Sequence, residues 1–260
     1  MVRIDVVKQS FPLKKDKDLL SKTGNIKPSN SNNNPYATLP LNAFKTNIVS
    51  IKNISFKGFS TQDADNAYNI ASYNITRGRF NEAEKLLNKA LTAYLQKGDD
   101  NASLKTLNKL TMVKIRQGKY QDAQKYIEKA DKFAKEPVNI HTADLYRNKG
   151  FLAAINNDSS KAKSWLSHAI NIYDSLGEKA KLNKAEALCY VGVLHSTNED
   201  VMDIPKAGKA FSESISIYEE LDPENDGLPY ALYHMAAMTL NNGNLDLANI
   251  LMNRVKKLYQ

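Results

Sequence analysis

Residues able to do chemistry are few and scattered. The four histidines, His141, His168, His195 and His234, could ligate a metal or move a proton, but none forms an i, i+4 pair with another histidine or with Cys189. His195 and His234 are read as packing or groove residues. Glu199, Asp200 and Asp203 bunch like a cation site, yet they lack the glycine and final glutamate of a calcium loop and read as a solvated acidic loop. No Gly-Lys-Ser/Thr phosphate loop, GxGxxG turn or GxSxG elbow is present. A single cysteine permits no intramolecular disulfide. These features point away from an enzyme and call for neither a cofactor nor a metal.

Side chains with no chemistry of their own can still form a binding surface where regular elements position them. The formal charge of +8 lies mostly in residues 1–60, which hold ten Lys/Arg and three acids. That segment includes KPSNSNNNPYATLP and is expected to be a disordered tail, with a helical domain over 61–260. Within the tail, Ile48, Ile54, Phe56 and Phe59 suit a linker or an extended docking segment. Lysines outnumber arginines thirty to six, a balance that does not favour specific nucleic-acid readout. There is no apolar run of membrane-spanning length and no secretory pattern at the start, so a cytoplasmic protein is expected.

From Gln62 the text becomes helical, and a unit of roughly forty residues recurs five times. The second helix of each unit opens on Ala83, Ala123, Ala162, Ala207 or Ala248. Four residues on stands Leu87, Ile127, Leu166, Phe211 or Met252, and three further Ala90, Ala130, Ala169, Ser214 or Val255. Offsets of four and seven share one face, where a small residue lets a partner helix approach and a large one fills the space beside it. Tyr94, Tyr173, Tyr218 and Tyr259 extend this seam. Glycine, or Asn157 in the third unit, marks the turn between paired helices. Breaks are expected near Gly78, Asp99, Gly118, Pro137, Asn157, Gly177, Asn198, Asn225 and Gly243. The fourth unit carries an insertion in STNEDVMDIP that should protrude.

These residues resemble the tetratricopeptide repeat, with a small residue in the first helix (Ala71, Gly150, Gly192 and Ala236, with Thr111 departing), a Gly-x-aromatic turn and an alanine-large-alanine second helix. The unit length resembles the longer variety of kinesin light chains and bacterial regulators. The resemblance implies an all-α, right-handed superhelical solenoid of about five helix-turn-helix repeats, acting as a scaffold or adaptor for a protein or peptide in its concave groove. Carried onto this sequence, the groove positions include Tyr68, Asn69, Ser72, Asn108, Met112, Arg147, Asn148, Phe151, Cys189, Val193, Tyr230 and Tyr233. Asn69 and Asn148 would bond peptide amides, and Tyr68, Phe151 and Tyr233 would supply apolar area. The Lys-then-Asn pair of carboxylate-clamping relatives is absent from the first unit. Two alternatives are a peptide-sensing regulatory subunit acting on a separate effector, and tail-mediated binding to an anionic surface. The last helix carries Leu247, Ile250, Leu251, Met252, Val255, Leu258 and Tyr259, more apolar residues than one buried face can hold. A homodimer through that helix, or capping by a partner or by the tail, is therefore expected.

Overall fold

The computed structural model describes residues 60–134 and 139–258. The tail and its docking segment, Pro137 and Tyr259 lie outside the described residues. Ten α-helices stand among the described residues: α1 Thr61–Thr76, α2 Phe80–Lys97, α3 Asp100–Arg116, α4 Tyr120–Ala130, α5 Ile140–Ile155, α6 Ser159–Leu176, α7 Lys181–Thr197, α8 Ile204–Leu221, α9 Gly227–Asn241 and α10 Leu245–Leu258. They form five antiparallel pairs. No strand occurs among the described residues.

Local chemistry sets the helix limits. Ser60 opens α1 with a reciprocal capping box, its Oγ accepting from the Asp63 amide while the Asp63 carboxylate accepts from the Ser60 amide. Asp99, Asn139, Asp158 and Asp203 cap four later helices in the same sense. The turns inside the first, second, third and fifth pairs place Gly78, Gly118, Asn157 and Gly243 at φ of 66°, 71°, 59° and 80°. Asparagine thus takes the left-handed position that glycine holds elsewhere, as the sequence predicts.

The seam is buried in the first four units; in the fifth, Met252 is only half-buried and Leu251 takes its place in the core. Ala83, Ala123, Ala162 and Ala207 are wholly inaccessible, as are Leu87, Phe211 and Ser214, and Tyr94, Tyr173 and Tyr218 are also core. The small position of the first helix has a direct steric cause. A Cβ on Gly150 would stand 2.7 Å from Leu166 Cγ, and one on Gly192 would stand 2.6 Å from the Phe211 ring. The large residue of the second helix therefore occupies the space that a side chain on the first would need. Thr111, the exception, turns its hydroxyl to the Leu107 carbonyl.

The second helix of the second unit ends at Ala130, and Asp131–Phe133 continue as a single tight turn. One expectation is corrected. The insertion after α7 folds back instead of protruding. The Val201 carbonyl accepts from His195 Nδ1 at 2.7 Å, the Asp203 amide donates to the His195 carbonyl at 2.9 Å, and Val201 packs into the core. Of its apolar residues Val201 and Ile204 are half-buried, and Met202 and Pro205 are left exposed. His195 supplies this anchor, which the spacing of carboxylates did not suggest.

Candidate interaction face

The first helices of the pairs, α1, α3, α5, α7 and α9, line one side of the array, and α3, α5, α7 and α9 pack on one another in that order. Their shared face collects residues three, four and seven apart. At one end Tyr68 lies under Lys105, whose ammonium stands 4.1 Å from the ring centroid. Asn108 then donates to the His141 carbonyl at 2.7 Å, joining α3 to the start of α5.

The middle of the face is a buried charge network. Arg147 Nη1 contacts Asp144 at 2.9 Å and Glu186 at 3.2 Å, bridging α5 and α7. Asp144 also accepts from the Tyr173 hydroxyl at 2.7 Å and from Asn183 Nδ2 at 2.8 Å. Burial pushes the Asp144 carboxyl up, but Arg147 and these hydrogen bonds outweigh it and hold the group well below the usual carboxylate range. Glu186 accepts from the Tyr190 hydroxyl at 2.9 Å. Burial raises its pKa too, and Arg147 and Arg116 reverse the sign. Lys109 faces the same group of charges, and Tyr68, Glu186, Asp144 and Asp226 keep it protonated against the cost of burial.

Aromatic rings run beside the charges. Phe151 and Tyr190 have centroids 4.3 Å apart, and Tyr190 and Tyr230 6.4 Å apart. His234 sits against Tyr230 at 4.3 Å and Tyr233 at 5.5 Å. Burial and the neighbouring Arg116 push its pKa down to about 3, so the imidazole is neutral at physiological pH. Burial pushes the Cys189 thiol up, which keeps it protonated and a poor nucleophile.

The positions carried over from the repeat pattern divide by depth. Asn69 is exposed, and Ser72, Tyr230 and Tyr233 are half-buried. Tyr68, Asn108, Met112, Arg147, Asn148, Phe151, Cys189 and Val193 are buried. Asn148 spends its amide inside the protein, donating to the Asn108 carbonyl and accepting from Arg147, each at 3.4 Å. Ser72 donates to the Tyr68 carbonyl of its own helix. Sequence reading passed over Lys109, Arg116, Asp144, Asn183, Glu186 and Asp226. The signal was present in the spacing, since Lys109 with Arg116 and Asp144 with Arg147 share a helix face with the positions that were chosen. Among the described residues no helix is long and apolar enough to cross a membrane.

Comparison with known proteins agrees with this architecture. Residues 63–136 match the tetratricopeptide repeat family. Among solved structures, BtubC (BKLC) from P. vanneervenii superposes with a TM-score of 0.51 at 18% identity, covering 76% of this chain and 80% of that one. A Podosopora anserina protein described as a kinesin light chain with nearly identical TPR-like repeats gives a TM-score of 0.47 at 14% identity, covering 76% and 95%. The likeness to BtubC is one of fold. Among curated proteins nothing matches the chain.

Proposed function

We propose that this tetratricopeptide-repeat protein, a kind of array that generally mediates protein–protein interaction, holds a peptide or protein segment along the concave face formed by its first helices. The observation that carries the reading is the row of Phe151, Tyr190, Tyr230, His234 and Tyr233 set beside charged groups from three different helices. Aromatic and arginine side chains concentrate binding energy where they are shielded from water. The accessible members, Asn69, Ser72, Tyr230 and Tyr233, are the first contacts a segment would meet, with the buried ones behind them. The test is the affinity of a captured partner for the full chain and for Tyr233→Ala and Asn69→Ala. Loss of about tenfold for Tyr233→Ala, on the order of 1–2 kcal/mol, is expected. Wild-type affinity in both variants would place the partner elsewhere.

A second reading is favoured by the last helix. Leu245, Ile250 and Leu258 of α10 are 57%, 58% and 43% exposed, while Leu251 and Val255 fill the core. We propose self-association through these exposed apolar residues of α10. Sedimentation equilibrium of the full chain and of Ile250→Lys would show a concentration-dependent dimer only in the former. A strictly monomeric wild type would refute it.

A further inference from the structure

We propose that Arg116 is a latch that ties the concave face shut, joining the second repeat to the fourth and fifth. It stands at the C-terminal end of α3 and is 7% exposed. Its guanidinium reaches Glu186 of α7 at 3.7 Å and Asp226 at the start of α9 at 3.9 Å, and lies 3.9 Å over the Tyr230 ring. Extensive packing along the array otherwise runs between neighbouring repeats. In a solenoid with nearest-neighbour interfaces, a charged side chain crossing from the second repeat to the fifth restrains the curvature of everything between.

The tie is made for release. Both ion contacts are longer than a hydrogen bond, and Arg116 Nε is buried with no hydrogen-bond partner. Glu186 already has better partners in Arg147 and Tyr190. Asp226 occupies the cap position of α9, where an aspartate ordinarily accepts from the helix amides, yet it makes no side-chain cap bond. The Asn225 carbonyl oxygen, Oδ1, accepts from the Gly227 amide in its place. Asp226 is thus committed to the cross-face contact, and burial raises its pKa with Arg116 only partly offsetting it.

The core shows where the array would open. Besides a small cluster of Ala143, Ala169, Tyr173, Ala180 and Ala187 that joins α5 and α6 to α7, one buried apolar cluster is carried by α1 to α5 together with Ala162, Leu166, Tyr190 and Leu194, and another by α7 to α10. They meet at α7, and Tyr230 packs against both. The latch straddles that division. Release of Arg116 would let the last repeat swing from the first three about α7, which Glu186 and Asn183 keep tied to α5, exposing the buried aromatic row and presenting an unpaired guanidinium. The gating role rests on the concave face being the partner site; the latch does not.

Spin labels at Gln124→Cys on α4 and Asn249→Cys on α10, both exposed positions, would report the separation of the two parts in the full chain. Cys189 is buried and escapes labelling. One narrow distance distribution is expected for the parent. Asp226→Asn, which keeps the shape but removes the charge, should add a population at longer distance. Arg116→Lys, which keeps the charge but loses the stacking on Tyr230, should do the same. Either variant, folded by circular dichroism and showing the parent distribution, overturns the latch. If the distribution widens while affinity for a captured partner stays at the parent value, the gating role fails, and the Tyr233→Ala measurement separately decides the groove.

Discussion

Lowering the pH should destabilise this protein through His234 well before its carboxylates titrate. The imidazole is 8% exposed, lies between Tyr230 and Tyr233, and has Arg116 as its charged neighbour. Its folded-state pKa of about 3 lies below the ordinary 6.5, so the native state resists a proton that the unfolded chain accepts. This contribution is present above the unfolded pKa and is lost as the pH falls from about 6.5 toward 3. At pH 5 the unfolded histidine is almost fully protonated and the native one almost wholly neutral. The linkage loss relative to pH 8 is then about 2 kcal/mol, and it hardly depends on where below 4 the native pKa falls. Asp226 shifts the other way, its raised pKa favouring the folded state as acid is added, so a single titration curve would mix the two. Comparison with His234→Phe separates them, because phenylalanine keeps the ring contacts and removes the titration. Urea unfolding at pH 8, 7, 6 and 5 should show the parent losing about 2 kcal/mol more than the variant across the series. Parallel pH dependences in the two proteins would refute the buried, neutral histidine.

Three further outcomes follow from the packing and the network. Gly150→Ala should destabilise by about 1–3 kcal/mol despite alanine's better helix propensity, because its Cβ meets Leu166 at 2.7 Å and the Leu166 backbone nitrogen at 3.1 Å. A raised melting temperature would count against the steric account of the small position. Asp144→Asn should cost about 3–5 kcal/mol in urea unfolding, since it leaves Arg147 with Glu186 as its remaining close carboxylate and replaces an acceptor used by Tyr173 and Asn183. A loss under about 1 kcal/mol would mean that water enters the network freely. Ala123→Leu, at a position with no accessible surface on α4, should also cost about 1–3 kcal/mol by overpacking the seam, read by thermal melting.

The parts of the fold legible in the sequence are those set by residue size at fixed spacing. Ala83, Ala123, Ala162 and Ala207 announce where helices touch, and Leu87, Leu166 and Phe211 announce what fills the gaps. A glycine or asparagine at the turns of the first, second, third and fifth pairs is readable because few residues tolerate positive φ. The insertion after α7 was misread because its fate depends on one contact, His195 to Val201, that spacing does not encode. The groove was legible as a face but not as a depth. Transferred positions assume a side wide enough to leave Asn148 and Phe151 open to a ligand, whereas here the neighbouring first helices and their long side chains cover them. Curvature depends on small rotations between repeats summed over the array. No single repeat records it.

The charged network poses an energetic question that the seam does not. Alanine-to-large packing already supplies a continuous apolar core, and a buried ion cluster adds little to it, because desolvation of Arg116, Arg147, Asp144 and Glu186 consumes most of what their attraction returns. Apolar side chains of similar volume would hold the repeats together at least as well. Arg147 is tightly bound, with two carboxylates and a short path between α5 and α7, and its effect is to fix the register of those two helices. Arg116 is loosely bound, with two contacts near 4 Å and an orphaned nitrogen, and its effect is to span helices that otherwise lack extensive packing on one another. The same pair of residue types thus serves two ends within one network. Where the geometry is good the pair sets alignment between adjacent repeats. Where it is poor, the charges are placed at the division of the core, so that a modest competing interaction can decide whether the face is open or closed.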